Sequence, residues 1–561
     1  MLTIAATTVA GHMPAGGATL AAAQSFTQSL DPAHSTLGST LIALIPIVLL
    51  LILLPVLKMS AWQAVTIGAI VTIILAITVW STPAGDALSA WGIGAGTGFW
   101  SIDWITFWGV IIYNTLVRTG AFDDFKRWLI SQATADIRVQ TMLLAWALGA
   151  LLEGLVGFGY PWAVIAPILI GLGVVELDAI RVAALANNAP VSFGALGAPI
   201  IALAAVTKLP LDTLSASVGE IVAILALLPP WILIVLVTGR RGLRGAWPLA
   251  VVSSLAYIAG QLPTSVYLGP YLPDIIGSVV AFSAILLLLR FWRPKEVLGF
   301  GGVPVADQDK GPQLDGGQAP GTREAVRGMV PFLILIAIVV AATGPWSHLT
   351  NYNFAKPTVS AISSLSHKKS DLSWAFTPAV AGTWILVSWL VIVVVLRVRA
   401  NQIGDVFRTT FGQMWGALLV GPIIFGLADV FNYSGMANTM AHGFAQIGPT
   451  FLILAPVVGW IGVALSGSNT STNALFGGFQ YTIGGLLHMP PLLLPSLNSV
   501  GAEIGKPVAP QTASVGVATS SYVRREGQVI RHNLPWTLVL VAYLILIALF
   551  YRGVLPSAMQ P

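Results

Sequence analysis

The sequence predicts an all-α polytopic membrane protein with about twelve transmembrane helices plus two re-entrant hairpins, arranged as an inverted repeat. Its 561 residues are 56% hydrophobic and only 9% charged, and the mean hydropathy is +0.83. A soluble protein of this length needs far more polar surface. Apolar runs of ~20 residues, the length of helix that crosses a bilayer, recur along the chain. The predicted crossings are residues 38–57, 61–80, 102–118, 180–208, 218–239, 246–262, 274–292, 329–345, 376–396, 409–429, 490–518 and 532–552.

Charge and cysteine content exclude several classes of protein. The 27 Lys and Arg residues exceed the 22 Asp and Glu residues, but the basic residues lie in short clusters between apolar runs. Such clusters set membrane topology, so no nucleic-acid partner is expected. The chain contains no cysteine, which excludes disulfides, thiol redox chemistry and Cys-ligated metals. No cofactor and no metal site are predicted.

Two further apolar segments, residues 139–172 and 446–486, are interrupted near their centres by glycine-rich polar motifs. Non-helical backbone is tolerated at membrane depth only where it faces protein or a watery cavity. Each segment is therefore predicted to be a re-entrant hairpin. Each is followed by a helix broken at an Asn-to-Pro run, within residues 180–208 and 490–518. Paired breaks of this kind indicate the binding site of a transporter.

The basic loops predict orientation, because Lys and Arg are retained on the cytoplasmic side. Under that rule the first hairpin and broken helix start inside, whereas the second pair starts outside, so the two copies are inverted. The longest hydrophilic stretch is rich in Gly, Pro, Asp and Gln and cannot bury a core. The predicted organisation is an N-terminal tail (1–37), a first transmembrane half (38–292), a cytoplasmic linker (293–328), a second half (329–552) and a C-terminal tail (553–561).

The hairpins favour an anionic ligand. A returning arm that begins inside the membrane presents unpaired N–H groups and a partial positive charge, which attract anions. In the first hairpin this arm is predicted to begin at Tyr160-Pro161, because proline suits the first helical position. The second hairpin carries the polar run Asn469–Asn473, whose side chains can bind a ligand or only cap the helix.

Charged residues inside apolar sequence are candidates for ion coupling. An ionised carboxylate there is costly and usually functional, so Glu153 is predicted to take up a proton, with a structural hydrogen bond as the alternative. Lys506 can meet a carboxylate substrate, or it can pair with Glu503 three residues earlier. Asp103 lies at the start of a predicted crossing, where a boundary position is expected.

Five motifs in order carry a resemblance to a known family: EGLVGFG, NNAPVSFGALGAPI, NYSGM, SGSNTSTNALF and GKPVAPQ. They resemble the signature segments of the bacterial L-lactate permease family. The resemblance implies proton-coupled uptake of L-lactate, D-lactate and glycolate by a multi-pass protein of the bacterial inner (cytoplasmic) membrane. Its partners would then be a small carboxylate, protons and membrane lipid. It places proton coupling on Glu153 and substrate binding on Gly157, Tyr160, Asn188, Ser192, Asn469, Thr470, Ser471, Asn473, Lys506 and Gln511.

Three other classes compete with this interpretation. A sodium-coupled carboxylate carrier would use the same helix breaks, with carbonyl and amide oxygens as ligands. A channel is disfavoured because a single chain shows no repeated filter ring. A membrane-embedded enzyme is disfavoured because the sequence lacks H-E-x-x-H, G-x-S-x-G and a Cys nucleophile.

Overall fold

A computed structural model describes residues 26–54, 56–57, 59–132, 134–157, 159–305, 321–349, 354–517, 520–522 and 525–561. Residues 1–25 of the predicted N-terminal tail and residues 306–320 of the predicted linker lie outside these ranges. Within them, seven helices are long and apolar enough to cross a membrane, or up to nine if each bent pair counts as one crossing. The prediction of a polytopic helical membrane protein is confirmed, and the count of twelve crossings stays a prediction.

The described residues form 22 α-helices, two π-helical segments and three short strands, together with several 3-10 turns. The strands are β1 (Phe26–Thr27), β2 (Thr358–Ile362) and β3 (Lys369–Ser373), and the π-helical segments are Thr97–Asp103 and Thr141–Leu148. The helices are α1 (Thr36–Leu53), α2 (Ala61–Thr78), α3 (Ala84–Gly96), α4 (Trp104–Thr119), α5 (Ala121–Gln132), α6 (Ile137–Gln140), α7 (Gly149–Leu155), α8 (Tyr160–Gly171), α9 (Glu176–Ala186), α10 (Gly194–Thr207), α11 (Leu211–Leu225), α12 (Pro229–Tyr267), α13 (Pro273–Phe291), α14 (Thr322–Thr343), α15 (Ala381–Val395), α16 (Ala400–Ser434), α17 (Met436–Ala445), α18 (Phe451–Ser466), α19 (Asn469–Leu486), α20 (Leu493–Gly505), α21 (Pro510–Val517) and α22 (Glu526–Gly553).

A small sheet departs from the predicted all-α class. Strand β2 pairs with β1 in parallel and with β3 in antiparallel register. Next to β1, the side chain of Gln28 donates hydrogen bonds to the carbonyls of Asn432 and Tyr433, at 3.1 and 2.9 Å. The sheet therefore ties the chain before α1 to the end of α16. The sequence did not indicate it, because strands this short and polar carry little periodic signal.

The order of elements repeats in the two halves. A long helical run, residues 84–119 in the first half and α16 in the second, ends at a glycine in the left-handed conformation, Gly120 (φ +77°) or Gly435 (φ +95°). Glycine ends helices in this way because it carries no Cβ penalty there. A short helix follows, then a helix-break-helix unit, then a second broken helix. The predicted internal repeat is thus visible as element order, and its inversion stays a prediction.

The first long run differs from the sequence prediction. Helix α3, the π-helical segment Thr97–Asp103 and α4 continue into one another without a break, so the helix begins before the predicted crossing at 102–118. At ~1.5 Å per residue, the run extends over roughly 50 Å. The run packs closely against α16, as a Cβ added to Gly98 would lie only 2.4 Å from the carbonyl oxygen of Gly421. Asp103 consequently lies inside the run.

The broken elements lie in the interior. Every residue of α20 is buried, as are seven of the 11 residues of α9 and 11 of the 14 residues of α10. The pair Glu176–Ala186 and Val191–Thr207 bends by 65°, and the pair Met436–Ala445 and Gly448–Ala464 bends by 108°. The backbone of the first bend, residues 187–193, is therefore surrounded by protein, as the membrane requires. Residues 446–450 at the second bend are mostly exposed.

Candidate functional site

The tip of the first hairpin joins α7 to α8 through glycines with positive φ. Gly157 has φ +66° and Gly159 has φ +80°. A Cβ on Gly157 would lie 3.1 Å from Ala195 Cβ, and one on Gly159 would lie 2.8 Å from Thr512 Cγ2. The glycines thus allow the tip to touch both broken helices. The returning arm α8 begins at Tyr160 with a proline in its first turn, as predicted.

The tip of the second hairpin is capped one residue before the predicted polar run. After α18, Gly467 adopts φ +71°, and the Ser468 hydroxyl accepts a hydrogen bond from the backbone N–H of Ser471 at 3.2 Å. The interpretation that residues 469–473 only cap the helix is therefore wrong, since Ser468 does so. The side chains of Thr470 and Ser471 lie in the first turn of α19, next to its unpaired N–H groups.

A buried ion pair joins the two halves of the chain. Lys506 Nζ lies 2.5 Å from Glu153 Oε1, and the two side chains are 5% and 2% exposed. The other carboxylate oxygen of Glu153 accepts a hydrogen bond from Asn187 Nδ2 at 2.9 Å. The expected alternative pairing of Lys506 with Glu503 is wrong, because the ammonium group of Lys506 pairs with Glu153 instead. Glu503 instead accepts the backbone N–H of Ser192 at 3.0 Å.

Further hydrogen bonds connect the second hairpin with both broken helices. Asn473 Nδ2 lies 2.9 Å from the Pro199 carbonyl and 3.0 Å from Ser499 Oγ. Ser499 Oγ is also 3.2 Å from Ser192 Oγ. The backbone carbonyl of Ser499 accepts a hydrogen bond from Asn469 Nδ2 at 3.1 Å. The four broken elements therefore form one buried polar centre.

Several polar atoms in this centre have no partner among the described residues. Neither amide atom of Asn188 is hydrogen-bonded, and the same holds for Asn469 Oδ1 and Glu503 Oε1. An unpaired buried polar group costs ~1–3 kcal/mol, so such groups normally meet water or a ligand. The centre therefore has unused capacity for polar ligands.

A cavity of about 500 Å³ lies beside the polar centre, between the hairpin tips and the helices α2, α16 and the long run 84–119. Four of the predicted site residues line it: Tyr160, Thr470, Ser471 and Gln511. The remaining seven do not line it and lie within or beside the polar centre: Glu153, Gly157, Asn188, Ser192, Asn469, Asn473 and Lys506. The structure thus separates the predicted site into a cavity wall and a buried network.

Asp103 also lines this cavity, and it lies in the middle of a helical run and not at the start of a helix. The carboxylate is 7% exposed within the continuous helical run. A signal for it exists in the sequence, because Asp103 is the single charged residue between Asp86 and Arg118. Partners such as Asn187 and Ser499 were likewise missed, since polar amides and hydroxyls near helix breaks have many possible roles.

Helix breaks paired around a buried polar centre, in a chain of membrane-crossing helices, define a membrane transport protein. Residues 39–555 match the family model described as L-lactate permease. The chain therefore belongs to the L-lactate permease family, which confirms the resemblance drawn from the motifs. Its curated relatives are named permeases, which are transporters and not enzymes.

Three relatives illustrate the similarity. The glycolate permease GlcA of Escherichia coli K12 is 33% identical over 563 residues, covering 95% of this chain and 100% of the relative. The L-lactate permease of the same strain is 30% identical, with 91% and 95% covered, and that of Bacillus subtilis 168 is 31% identical, with 94% and 99% covered. Among solved structures, the YdaH transporter of Alcanivorax borkumensis has a TM-score of 0.45 at 14% identity, covering 84% of this chain and 88% of the other.

Proposed function

We propose that the protein takes up L-lactate, D-lactate, glycolate and related short 2-hydroxy monocarboxylates by symport with protons across the bacterial cytoplasmic membrane. Family membership and relatives named for lactate and glycolate support the substrate class. The observation that carries the coupling is the buried Glu153–Lys506 pair, which links the first hairpin to the second broken helix.

The proposed substrate site is the cavity at the start of α19. The helix N-terminus carries a partial positive charge and free N–H groups, which favour a carboxylate. Thr470 and Ser471 lie in that first turn and can donate hydroxyl hydrogen bonds. Gln511 and Tyr160 on the other walls can bind the 2-hydroxyl group. Asn188 and Ser192 are proposed to complete the site when the cavity extends to the polar centre during transport.

Glu153 is proposed to couple proton uptake to substrate binding through Lys506. While Glu153 is ionised, it neutralises Lys506 at 2.5 Å. A proton on Glu153 cancels that charge and leaves Lys506 as an unpaired buried cation, which attracts a substrate anion. One proton carried with one monoanion forms a neutral unit, so the membrane potential, ~2.3 kcal/mol per charge per 100 mV, does not oppose uptake.

Sodium-coupled uptake is the second candidate. It is favoured by the unpaired buried oxygens of Asn188 and Asn469, since amide oxygens can coordinate a hard cation. Among the described residues, no group of three or more His, Cys, Asp or Glu could hold a metal ion. A sodium site would therefore depend on amide and backbone oxygens.

The test uses purified protein in liposomes with radiolabelled L-lactate. An acid-outside pH gradient in sodium-free buffer is expected to drive accumulation. Glu153→Gln is expected to lose this accumulation while it keeps lactate counterflow, and Glu220→Gln, a carboxylate change in α11 outside the site, is expected to behave like wild type. Accumulation that requires a sodium gradient and ignores the pH gradient would overturn proton coupling.

A further inference from the structure

Asp103 is a carboxylate that the coupling mechanism above does not use. It lies at the end of the π-helical segment Thr97–Asp103, inside a helical run of roughly 50 Å. It is 7% exposed and lines the 500 Å³ cavity opposite the hairpin tips. Ionisable groups inside a membrane helix are rare and usually functional, and π-helical turns often occur at functional sites.

Its surroundings do not give Asp103 a structural role. The residue has helical φ and ψ of −66° and −34°, and its side chain does not cap α4. In the part of the chain that the structure describes, Oδ2 has no hydrogen-bond partner. The carboxylate lies against the backbone of α16, where a Cβ on Gly421 would approach its oxygens to 2.4 and 2.5 Å. A side chain at position 421 would therefore require the Asp103 carboxylate to move.

No cation compensates Asp103 from the cavity wall. Among the lining residues that the structure describes, Asp103 carries the one charge, and Tyr160 is the one other titratable side chain. The helices packed against the π-helical segment are α3, α4, α10 and α16, and α10 contains no titratable residue. The titratable residues of the other three, none of which lines the cavity, are Asp86, Tyr113, Arg118, Asp405, Arg408, Asp429 and Tyr433.

An ionised Asp103 would therefore repel the anion that the cavity is proposed to bind. At a separation of ~5 Å and an effective dielectric constant of about 20, two like charges reduce affinity by on the order of a hundredfold. A protonated carboxyl group removes this repulsion and supplies an O–H donor, which suits a substrate carboxylate.

We propose that Asp103 holds a proton whenever the carboxylate substrate occupies the cavity, and that it then donates a hydrogen bond to the substrate. The inference rests on the proposed function, because it requires an anionic substrate in this cavity. It assigns substrate binding to a residue of the long helical run, separate from the Glu153–Lys506 pair. This proton is additional to the one proposed on Glu153. When both sites take up a proton, the loaded site carries one net positive charge, and an inside-negative membrane potential then favours uptake.

The experiment measures the dissociation constant of L-lactate for the purified full-length protein at several pH values between roughly 5 and 8. Because the protonated form binds, wild-type affinity is expected to fall as the pH rises. Asp103→Asn is neutral at every pH and keeps an N–H donor. The slope of its log Kd against pH is therefore expected to be smaller than that of the wild type by about one log unit per pH unit. Asp103→Ser, which is also neutral and carries a donor, is expected to show the same reduced slope.

One control variant and one comparison variant separate the possible outcomes. Asp429→Asn in α16 removes a buried carboxylate that does not line the cavity, and it is expected to keep the wild-type slope. Glu153→Gln removes the other proposed proton site, so it is expected to show only the part of the slope that comes from Asp103. The inference is overturned if Asp103→Asn binds lactate with the wild-type slope, or if both Asp103 variants fold and bind no lactate at any pH. Failure of the wild type to bind lactate would instead reject the proposed function.

Discussion

Replacing Lys506 with methionine tests the buried ion pair. Methionine keeps an apolar stem of similar length but removes the ammonium group 2.5 Å from Glu153. The two side chains are 5% and 2% exposed, so water cannot replace the lost partner. Removing one member of a buried pair typically costs about 3–5 kcal/mol. Asn187 still donates a hydrogen bond to the second carboxylate oxygen. The free energy of unfolding is therefore expected to decrease by the lower end of this range, ~3 kcal/mol.

The double variant Glu153→Gln with Lys506→Met separates the lost pair from the uncompensated charge. Glutamine is uncharged and can still accept the hydrogen bond from Asn187. The double variant is therefore expected to regain most of the stability that Lys506→Met loses, because apolar or neutral replacement of a buried pair is often close to neutral. Lys126→Met is the matched control, since Lys126 pairs with Asp123 at the surface and such pairs contribute at most ~1 kcal/mol.

The assay is denaturant unfolding in mild detergent, followed by tryptophan fluorescence and extrapolated linearly to zero denaturant. The chain contains 19 tryptophans, which provide the signal. A stabilising role of the ion pair is refuted if Lys506→Met lowers the free energy of unfolding no more than Lys126→Met does. It is also refuted if the double variant is no more stable than Lys506→Met alone.

Two further predictions concern the hairpin tips. Gly467→Ala is expected to lower stability by about 1–2 kcal/mol and to reduce the transport rate, because φ is +71° and the new Cβ would lie 2.8 Å from Gln511 Cβ. Gly92→Ala, where no atom lies within 4 Å of the new Cβ, is its control in the same unfolding and uptake assays, and equal effects of the two would contradict the prediction. Tyr160→Phe is expected to raise the KM for lactate by roughly the threefold to tenfold of one lost hydrogen bond without changing stability; an unchanged KM in uptake assays would remove Tyr160 from the substrate site.

Local helix breaks could be predicted from the sequence. Glycine and proline act on the backbone within one or two residues, so the motif around Gly157 and Gly159 indicated a break without knowledge of its surroundings. The start of α8 at Tyr160 and the positive φ at Gly467 follow from the same local rules. The repeat could also be predicted, since two copies of such breaks are visible in order along the chain.

Long-range pairing could not be predicted. Glu153 and Lys506 are 353 positions apart, and the sequence analysis named only a substrate carboxylate or the nearby Glu503 as partners of Lys506. Only the folded arrangement of the first hairpin and the second broken helix decides between them. The folded arrangement also determines whether a polar residue lines the cavity or lies in the buried network.

Glycine had two opposite meanings in this chain. The run of residues 92–98 contains four glycines, which have low helix propensity, and the predicted crossing at 102–118 begins after it. In the structure these residues are helical, and Gly94 and Gly98 let α16 approach until a Cβ would meet its backbone at 2.3 and 2.4 Å. Small residues permit such close helix packing in membranes. The helix is therefore longer than the apolar run indicated, and Asp103 lies inside it and not at its start.

The distance along the chain between Glu153 and Lys506 has a consequence for biosynthesis. The first hairpin leaves the ribosome long before Lys506 is made, because 353 positions separate the two residues and synthesis proceeds at ~5–20 residues per second. During that interval the nascent chain contains an acidic side chain without its basic partner. The first half therefore cannot reach its final packing inside the lipid until the second broken helix, which carries Lys506, has been made.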